Sequence, residues 1–263
     1  MTNLNIDNGK NFDWGRTSND YAKYRDIYPQ EMYDKILSYS LCMEGQKVLD
    51  LGTGTGVLPR NMYKYGAKFI GTDISENQIE QAKVLSSEQD MDITFFQSSA
   101  EDIDFPENTF DVITAFTCFF YFDHEKLMPI IKKILKPNGH LLIGYLAWLP
   151  YEDKIAGKSE QLILKYNPDW SGAGETRRPI DIPDVYKNNF EIMHNDYFDV
   201  KIPFTIKSWN GRMKACRGIG ASLSNEKIMS FEAEHIKMLE NLTNGEFTIL
   251  HNLALVDLKL IGK

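Results

Sequence analysis

Only three of the 263 residues are cysteine, Cys42, Cys118 and Cys216, far apart and odd in number. Such a set offers neither a disulfide framework nor the paired spacing of a metal site, and it suits a reducing compartment. The five histidines, His124, His140, His194, His235 and His251, show no metal-ligand spacing either, so no metal is expected. No lysine or arginine run exceeds two residues, and the formal charge is -8. A chain of that sign repels a phosphate backbone unless its basic residues gather on one face, so nucleic acid is not an expected partner. No apolar stretch approaches the ~18 residues that a membrane span needs. The opening MTNLNIDNGKNFDWG is polar and has no signal-peptide core. The expectation is a soluble, cytoplasmic protein without a membrane partner.

What is present is the balance of an ordinary globular chain, 43% hydrophobic and 25% charged. From about Gln46 to Leu146 short apolar runs alternate with helical patterns. KVLDL reads as a buried strand, followed by a glycine turn and a helix to about Tyr65. KFIGTDI is a second strand. SENQIEQAKVLSSEQ opens with Ser75 and Gln78 at capping-box spacing, the start of a helix. ITFFQ and TFDVITAFT are the third and fourth strands. DHEKLMPIIKKILK is a helix that stops at KPNG, and HLLIGYL is the fifth strand. This alternation predicts a doubly wound α/β fold, with a mostly parallel sheet covered by helices on both faces. Ahead of it, a helical segment runs from Ser18 to Ser40, interrupted at Tyr28-Pro29. After it come a loop-dominated stretch, Trp148 to Pro183, with one helix around Lys154 to Lys165, and a sixth strand in FEIMHNDYFDVKIPFTI. An amphipathic helix from Ser224 to Asn241 turns Ile228, Phe231, Met238 and Leu239 inward, and FTILHNLALVDLKLIG is a long final strand, the seventh.

The stretch LDLGTGTGV, Leu49 to Val57, carries the chemistry. A phosphate-binding P-loop would need a lysine after its last glycine, and none follows Gly56. The dinucleotide fingerprint would need a glycine where Val57 stands. The glycines run G-x-G-x-G, with Asp50 two residues before the first. That arrangement resembles the motif of the Rossmann-like, class I methyltransferases that use S-adenosylmethionine. Glycine lets the backbone pass close to the methionyl part of that cofactor. Asp73 ends the second strand 21 residues after Gly52, where an acidic residue accepts from both ribose hydroxyls. SSAEDIDF follows the third strand, where the family contacts adenine, with Ser99 where many relatives carry aspartate. LKPNGHLLI matches the family's approach to the fifth strand. The resemblance spans about Val48 to Ile143. It implies S-adenosylmethionine as cofactor, held by Asp50, Gly52, Thr53, Gly54, Gly56, Asp73, Ile74, Ser99, Ala100, Glu101, Ala115 and Phe116. It also implies a last strand antiparallel to the rest, an N-terminal helical cap and a lid-like insertion after strand five.

Within that family, nucleic-acid amino-methylating enzymes carry a [DN]-P-P-[YF] loop after the fourth strand. Here the position reads TAFTCFFYF, and Cys118 follows Thr117 rather than the proline of the cytosine-carbon enzymes. The remaining branch acts on small molecules. DYAKYRDIYP resembles the opening of the trans-aconitate and the ubiquinone/menaquinone-biosynthesis methyltransferases. By that resemblance Tyr21 and Arg25 cap the cofactor, Arg25 reaching its carboxylate; the alternative is that the tyrosines of this helix are packing. Methyl transfer is a one-step displacement at an activated carbon, so alignment and exclusion of water matter most. Tyr121 and His124 are candidate bases for a hydroxyl or amine acceptor, and a carboxylate acceptor needs none. WSGAGETRRPIDIP and SWNGRMKACRGIG set tryptophan and arginine among glycines, in stretches read as mobile loops. Trp148, Arg177, Trp209 and Arg212, with Tyr121, are the candidate acceptor-binding residues, and the alternative for the arginines is neutralisation of an acidic surface. The expectation is one domain over 1–263: a cap at 1–45, a cofactor-binding core at 46–147, lid segments at 148–183 and 205–245, and a final strand at 246–263. The expected function is methylation of a small molecule, with O-methylation of a carboxylate or hydroxyl favoured. The alternatives are a non-catalytic cofactor-binding protein of the same fold and a dinucleotide-dependent oxidoreductase.

Overall fold

The computed structural model describes residues 6–262. In chain order the elements are α1 (Ser18–Tyr24), α2 (Gln30–Ser38), β1 (Lys47–Leu51), α3 (Val57–Met62), β2 (Lys68–Asp73), α4 (Glu76–Ser87), β3 (Thr94–Gln97), β4 (Phe110–Phe116), α5 (His124–Ile134), β5 (Leu135–Trp148), α6 (Lys154–Tyr166), α7 (Asp184–Lys187), β6 (Phe190–Thr205), α8 (Ile206–Lys214), α9 (Asn225–Leu242) and β7 (Glu246–Leu260). The strands form one sheet in the order β3-β2-β1-β4-β5-β7-β6. β1 pairs in parallel with β2 and β4, β2 with β3, and β4 with β5. One strand of the sheet is antiparallel, as expected.

Contacts divide the chain into two units. The larger comprises Tyr28–Leu146, Arg178–Phe198 and Leu253–Lys263, and the other Met1–Ile27, Ala147–Arg177 and Asp199–Asn252. In the larger unit β1 lies between β2 and β4, so both of its edges are paired, and Val48 and Leu49, which point to opposite faces, are fully buried, as is Leu51. A strand buried on both faces reads as a continuous apolar run, which is why KVLDL is legible. Leu49, Leu51, Ile113, Ala115, Leu141 and Ile143 share one core with Leu127, Ile131 and Ile134 of α5. The Ser75 hydroxyl accepts the Gln78 N–H and starts α4 where the capping residue stands. β5 begins earlier than expected: Leu135 pairs with Phe110, and the register shifts before Val112 pairs with His140. Asn138, at φ 61°, sits within that irregular stretch and lets the strand absorb KPNG rather than start after it.

In the second unit α8 packs on α1 and α9, and α6 packs on α9. α8 stands where the sequence predicts mobile loop. Thr205 and Ser208 form a reciprocal capping box that starts the helix. Gly211 lies inside it because a Cβ there would stand 2.3 Å from the Tyr24 ring. That glycine is a packing requirement of the α1 contact and not a loop signal. On α9 Phe231 and Leu239 are fully buried as expected, and so is His235, whereas Ile228 and Met238 are only half-buried.

His235 joins a buried polar chain. Its Nδ1 meets Asn210 Oδ1 at 2.9 Å and its Nε2 meets Ser159 Oγ at 2.9 Å. Trp209 Nε1 donates to the same Ser159 oxygen at 2.9 Å. The Asn210 amide donates to Glu232 at 3.0 Å, which fixes its oxygen toward the ring, so Nδ1 carries the proton and Nε2 is an acceptor, competing for the one Ser159 proton with the Ile155 carbonyl at 2.9 Å. The order serine–histidine–asparagine looks like a nucleophilic triad, yet Ser159 and His235 are fully buried and Asn210 nearly so. Its work is to hold the Trp209 indole.

Burial drives the His235 pKa down from its ordinary value to about 4. The folded unit therefore holds the ring neutral while the unfolded chain protonates it below about 6.5. Stability contributed by this group is complete above about pH 6.5 and is lost as pH falls toward 4. Calorimetric unfolding between pH 7 and 4 should show stability decreasing on acidification, this residue supplying up to about 1.4 kcal/mol per unit. His235→Gln should make the pH profile shallower, and an unchanged slope would remove His235 as its source.

Candidate functional site

The turn after β1 is set by three glycines in the left-handed region, Gly52 at φ 60°, Gly54 at 57° and Gly56 at 73°. Side chains other than glycine are strained there. Two of the three are also sterically enforced. A Cβ on Gly52 would stand 2.7 Å from Cys118 Sγ, and one on Gly56 would stand 2.7 Å from the Phe95 ring. Thr53, nearly buried, donates its N–H to the Thr72 carbonyl at 2.9 Å and continues the β1–β2 contact into the turn.

Two carboxylates flank this turn. Asp50 on β1 lies opposite Gly71 on β2 and Thr114 on β4 and is 2% exposed. Its Oδ1 accepts the Thr114 hydroxyl at 2.6 Å. Burial raises its pKa to about 7; the hydroxyls of Thr114 and Thr53 oppose that rise, and the charge of Asp73 adds to it. Asp73 at the end of β2 accepts the Gly54 N–H through Oδ2 and the Ser75 N–H through Oδ1, both at 2.9 Å. Burial raises its pKa as well, and those backbone amides pull it back. These amides leave the Asp73 carboxylate with accepting capacity to spare. Ile74 follows it, 65% exposed, an apolar side chain turned outward beside that carboxylate.

After β3 the residues 99–101 form a tight cluster. Ser99 Oγ lies 2.9 Å from Glu101 Oε2 and 3.1 Å from Asp102 Oδ2, donating its one proton to either. Glu101 Oε1 accepts the Asp123 N–H at 2.8 Å, and Ala100 is buried. Ala115 and Phe116 end β4 in the core, where the Phe116 ring contacts Tyr28 at 5.9 Å between centroids. Thr117, at φ 59°, turns the chain out of the strand. Burial and the charges of Asp50 and Asp73 push the Cys118 thiol well up, so it stays protonated and donates to the Leu51 carbonyl at 3.1 Å. A thiol in that state is packing, not a nucleophile.

The two candidate bases follow. Tyr121 lies in a short 3-10 turn, its ring 4.4 Å from that of Phe120, which is 46% exposed. His124 is the first residue of α5, with Nδ1 3.2 Å from the buried Tyr186 hydroxyl. Burial lowers its pKa, and the helix N-terminus disfavours a cation there too.

The remaining candidates belong to the second unit. Arg25 caps the C-terminus of α1, its guanidinium 4.6 Å above the Tyr21 ring. Trp148 donates to Glu160 at 2.9 Å and carries the Arg212 guanidinium over its ring at 5.2 Å. Trp209 and Arg212 are buried on α8, correcting the expectation of mobile loop positions. Arg177 is engaged with carboxylates: Nε and Nη2 donate to Asp199 at 2.7 and 2.9 Å, and Nη1 to Glu152 at 2.7 Å. Arg217 pairs with Asp7 at 2.9 Å. His251 is a fully buried neighbour of Trp209 that sequence reasoning passed over, since one histidine in an apolar strand carries no local signal. Among the described residues no group of histidine, cysteine and carboxylate side chains is placed to hold a metal, and no helix is long and apolar enough to cross a membrane.

Residues 49–143 match the family model described as a methyltransferase domain. A protein of Dictyostelium discoideum named as a methyltransferase is 32% identical over 131 residues, covering 49% of this chain and 47% of that protein. A ubiquinone biosynthesis O-methyltransferase of Alkalilimnicola ehrlichii is 28% identical over 134 residues, covering 49% of this chain and 54% of the relative. The chain thus spans about half the length of the curated relatives it matches. The solved structure of the YcgJ protein of Bacillus subtilis superposes with a TM-score of 0.54 at 17% identity, over 89% of this chain and 100% of that one, a likeness of fold. The match lies on residues 49–143, the stretch that holds the glycine turn and both of its flanking carboxylates.

Gly52 and Cys118 act as one steric unit, which a substitution cycle tests. Gly52→Ala should lower stability by more than the roughly 1 kcal/mol of a left-handed alanine, because the new methyl meets Cys118. Cys118→Gly in the same chain should return part of the loss, and additive effects of the two changes would dismiss the contact.

Proposed function

We propose that this chain is an S-adenosylmethionine-dependent methyltransferase acting on a small molecule, with oxygen of a carboxylate or hydroxyl as the acceptor. The observation that carries the reading is the pair of carboxylates, Asp50 and Asp73, flanking a turn of left-handed glycines. When bound, S-adenosylmethionine supplies a methyl carbon already activated by a sulfonium, so the chain's residues have alignment and desolvation as their task. Asp73 would take the ribose hydroxyls while keeping its amide partners. Asp50, almost wholly removed from water, would face the cofactor's ammonium. The 99–101 cluster would meet the adenine edge, and Ile74 would lie against the flat base. A carboxylate acceptor is already nucleophilic; a hydroxyl acceptor would draw on Tyr121 or on His124, whose protonated form burial disfavours. The ubiquinone biosynthesis O-methyltransferases among the relatives support oxygen as the acceptor atom.

The pH dependence of binding follows from Asp50. An ammonium binds the ionised carboxylate and not the acid, and this carboxyl titrates at about 7. Affinity for S-adenosylmethionine should therefore rise between pH 5.5 and 7, approaching tenfold per unit at the acid end. Asp50→Asn should bind more weakly with a flatter profile, and a flat profile in the native chain would remove Asp50 from the site.

Asp73→Ala should weaken cofactor binding by roughly 1.5–3 kcal/mol, the scale of hydrogen bonds to a charged group. Calorimetric titration with S-adenosylmethionine and S-adenosylhomocysteine measures it directly. If neither binds at micromolar concentration, the reading fails. If both bind and no methyl transfer follows with carboxylic acids, phenols, quinols or amines, a non-catalytic cofactor-binding protein is the better description.

A further inference from the structure

His124 opens α5 in the larger unit, its ring half-buried and 4.5 Å from that of Phe119. Phe119 meets Phe122 edge to face at 6.4 Å, and the tip of Phe122 lies 3.7 Å from where a Cβ on Gly52 would stand. Glu101 of the 99–101 cluster accepts the N–H of Asp123, the residue before His124. The imidazole is thus tied to the glycine turn through two rings, and to the loop after β3 through one hydrogen bond.

The partner of its Nδ1 decides which nitrogen carries the proton. That partner is the Tyr186 hydroxyl at 3.2 Å. Tyr186, on α7, is fully buried, and its oxygen has no other hydrogen-bond partner among the described residues. Burial, and then the charge of Glu101, push the phenol's pKa up, so the hydroxyl keeps its proton. A buried O–H aimed at nothing is costly, so the phenol donates to Nδ1. Nδ1 is then the acceptor, and the single proton of the neutral ring sits on Nε2. The opposite tautomer would leave the phenol O–H unpaired in the core. Nε2 itself makes no hydrogen bond to the described residues and is not cut off from solvent.

Four ionisable groups face this ring: Asp123 and Glu125 beside it, Glu101 from the loop after β3, and Tyr186 from α7. Burial lowers the His124 pKa and outweighs the three carboxylates that raise it. An added proton could enter only at Nδ1, where it would meet the phenol proton. The nitrogen that solvent reaches already holds a hydrogen.

We propose that His124 is a fixed N–H donor to the methyl acceptor and not its base, and that the acceptor oxygen belongs to a carboxylate. The assignment rests on the methyltransferase reading and narrows its acceptor. An N–H at Nε2 suits an oxygen that arrives ionised, and it cannot remove the proton of an alcohol, a phenol or an ammonium. One carboxylate lone pair forms the bond to the methyl carbon as the carbon–sulfur bond breaks, its electron pair returning to sulfur. Anion and sulfonium become a neutral ester and a neutral thioether. No proton leaves the acceptor, so the ring has none to take.

Nitrogen-15 spectra of the labelled full chain at neutral pH test the tautomer, with His124→Gln identifying the signal. Nδ1 should appear as a bare acceptor and Nε2 as protonated, and Tyr186→Phe should release the ring to a mixture of both forms. A proton on Nδ1 in the native chain would overturn the proposal. The second arm saturates the chain with S-adenosylhomocysteine and titrates it with acetate, succinate, benzoate and cinnamate, with benzyl alcohol and benzylamine as controls. At least one acid should bind and move the Nε2–H signal, and neither control should. His124→Phe should weaken that acid tenfold or more, the scale of a hydrogen bond to a charged group. His124→Gln, whose amide offers an N–H of similar reach, should stay within about threefold of the native chain. An Nε2–H signal that no acid moves, one that the alcohol or the amine moves as far, or a glutamine variant as weak as the phenylalanine one would each overturn it. All of these leave the cofactor reading intact. Failure of S-adenosylhomocysteine to bind would instead sink the methyltransferase reading and the proposal with it. The native spectra decide the tautomer even if Tyr186→Phe does not fold.

Discussion

Asp73 takes the Gly54 N–H, and much else in the larger unit depends on that bond. It joins the end of β2 to the turn that leaves β1, and so converts two neighbouring parallel strands into a shaped concavity rather than two loose ends. The carboxylate can stay there only because amides compensate for its burial. The same amides leave it with accepting capacity to spare. Gly54 makes that bond with its backbone in the left-handed region, where a larger residue would be strained. Position, charge and spare capacity thus come from one contact.

The fold of the larger unit was legible because each strand is short, apolar and followed by a turn or helix signal. Leu49, Ile113 and Leu141 announce buried strands wherever they are placed, and Ser75 announces the start of a helix. The glycine turn was legible for the same reason: its requirements are local. The second unit was much less so. Gly211 looks like a loop residue until the Tyr24 ring is seen against it, and Arg212 looks solvated until Trp148 is found beneath it. His235 and His251 gave no signal, since each depends on partners distant in sequence, Ser159 in one case and Phe204 and Trp209 in the other. Local chemistry writes itself into neighbouring positions; a partner tens of residues away does not.

The units also differ in how they handle buried polarity. The larger one concentrates negative charge at its turn and tolerates carboxyls lifted toward neutral pH. The second unit buries neutral imidazoles, one wired through Ser159 to Trp209 and one facing aromatic rings. Its cations, Arg212 and Arg217, are kept close to rings and to Asp7. A polar chain of this kind has few alternative arrangements, because the Asn210 amide and the His235 ring each have one orientation that satisfies their neighbours. That rigidity fixes the Trp209 indole.

All four tryptophans of the sequence, Trp14, Trp148, Trp170 and Trp209, fall within the second unit. Indole emission from this protein therefore reports on that unit alone, while the glycine turn and its carboxylates are optically silent at those wavelengths. Fluorescence and far-ultraviolet dichroism will trace a single curve on denaturation only if the two units melt as one. A gap between the two signals would measure, without any label, how far their folding is coupled.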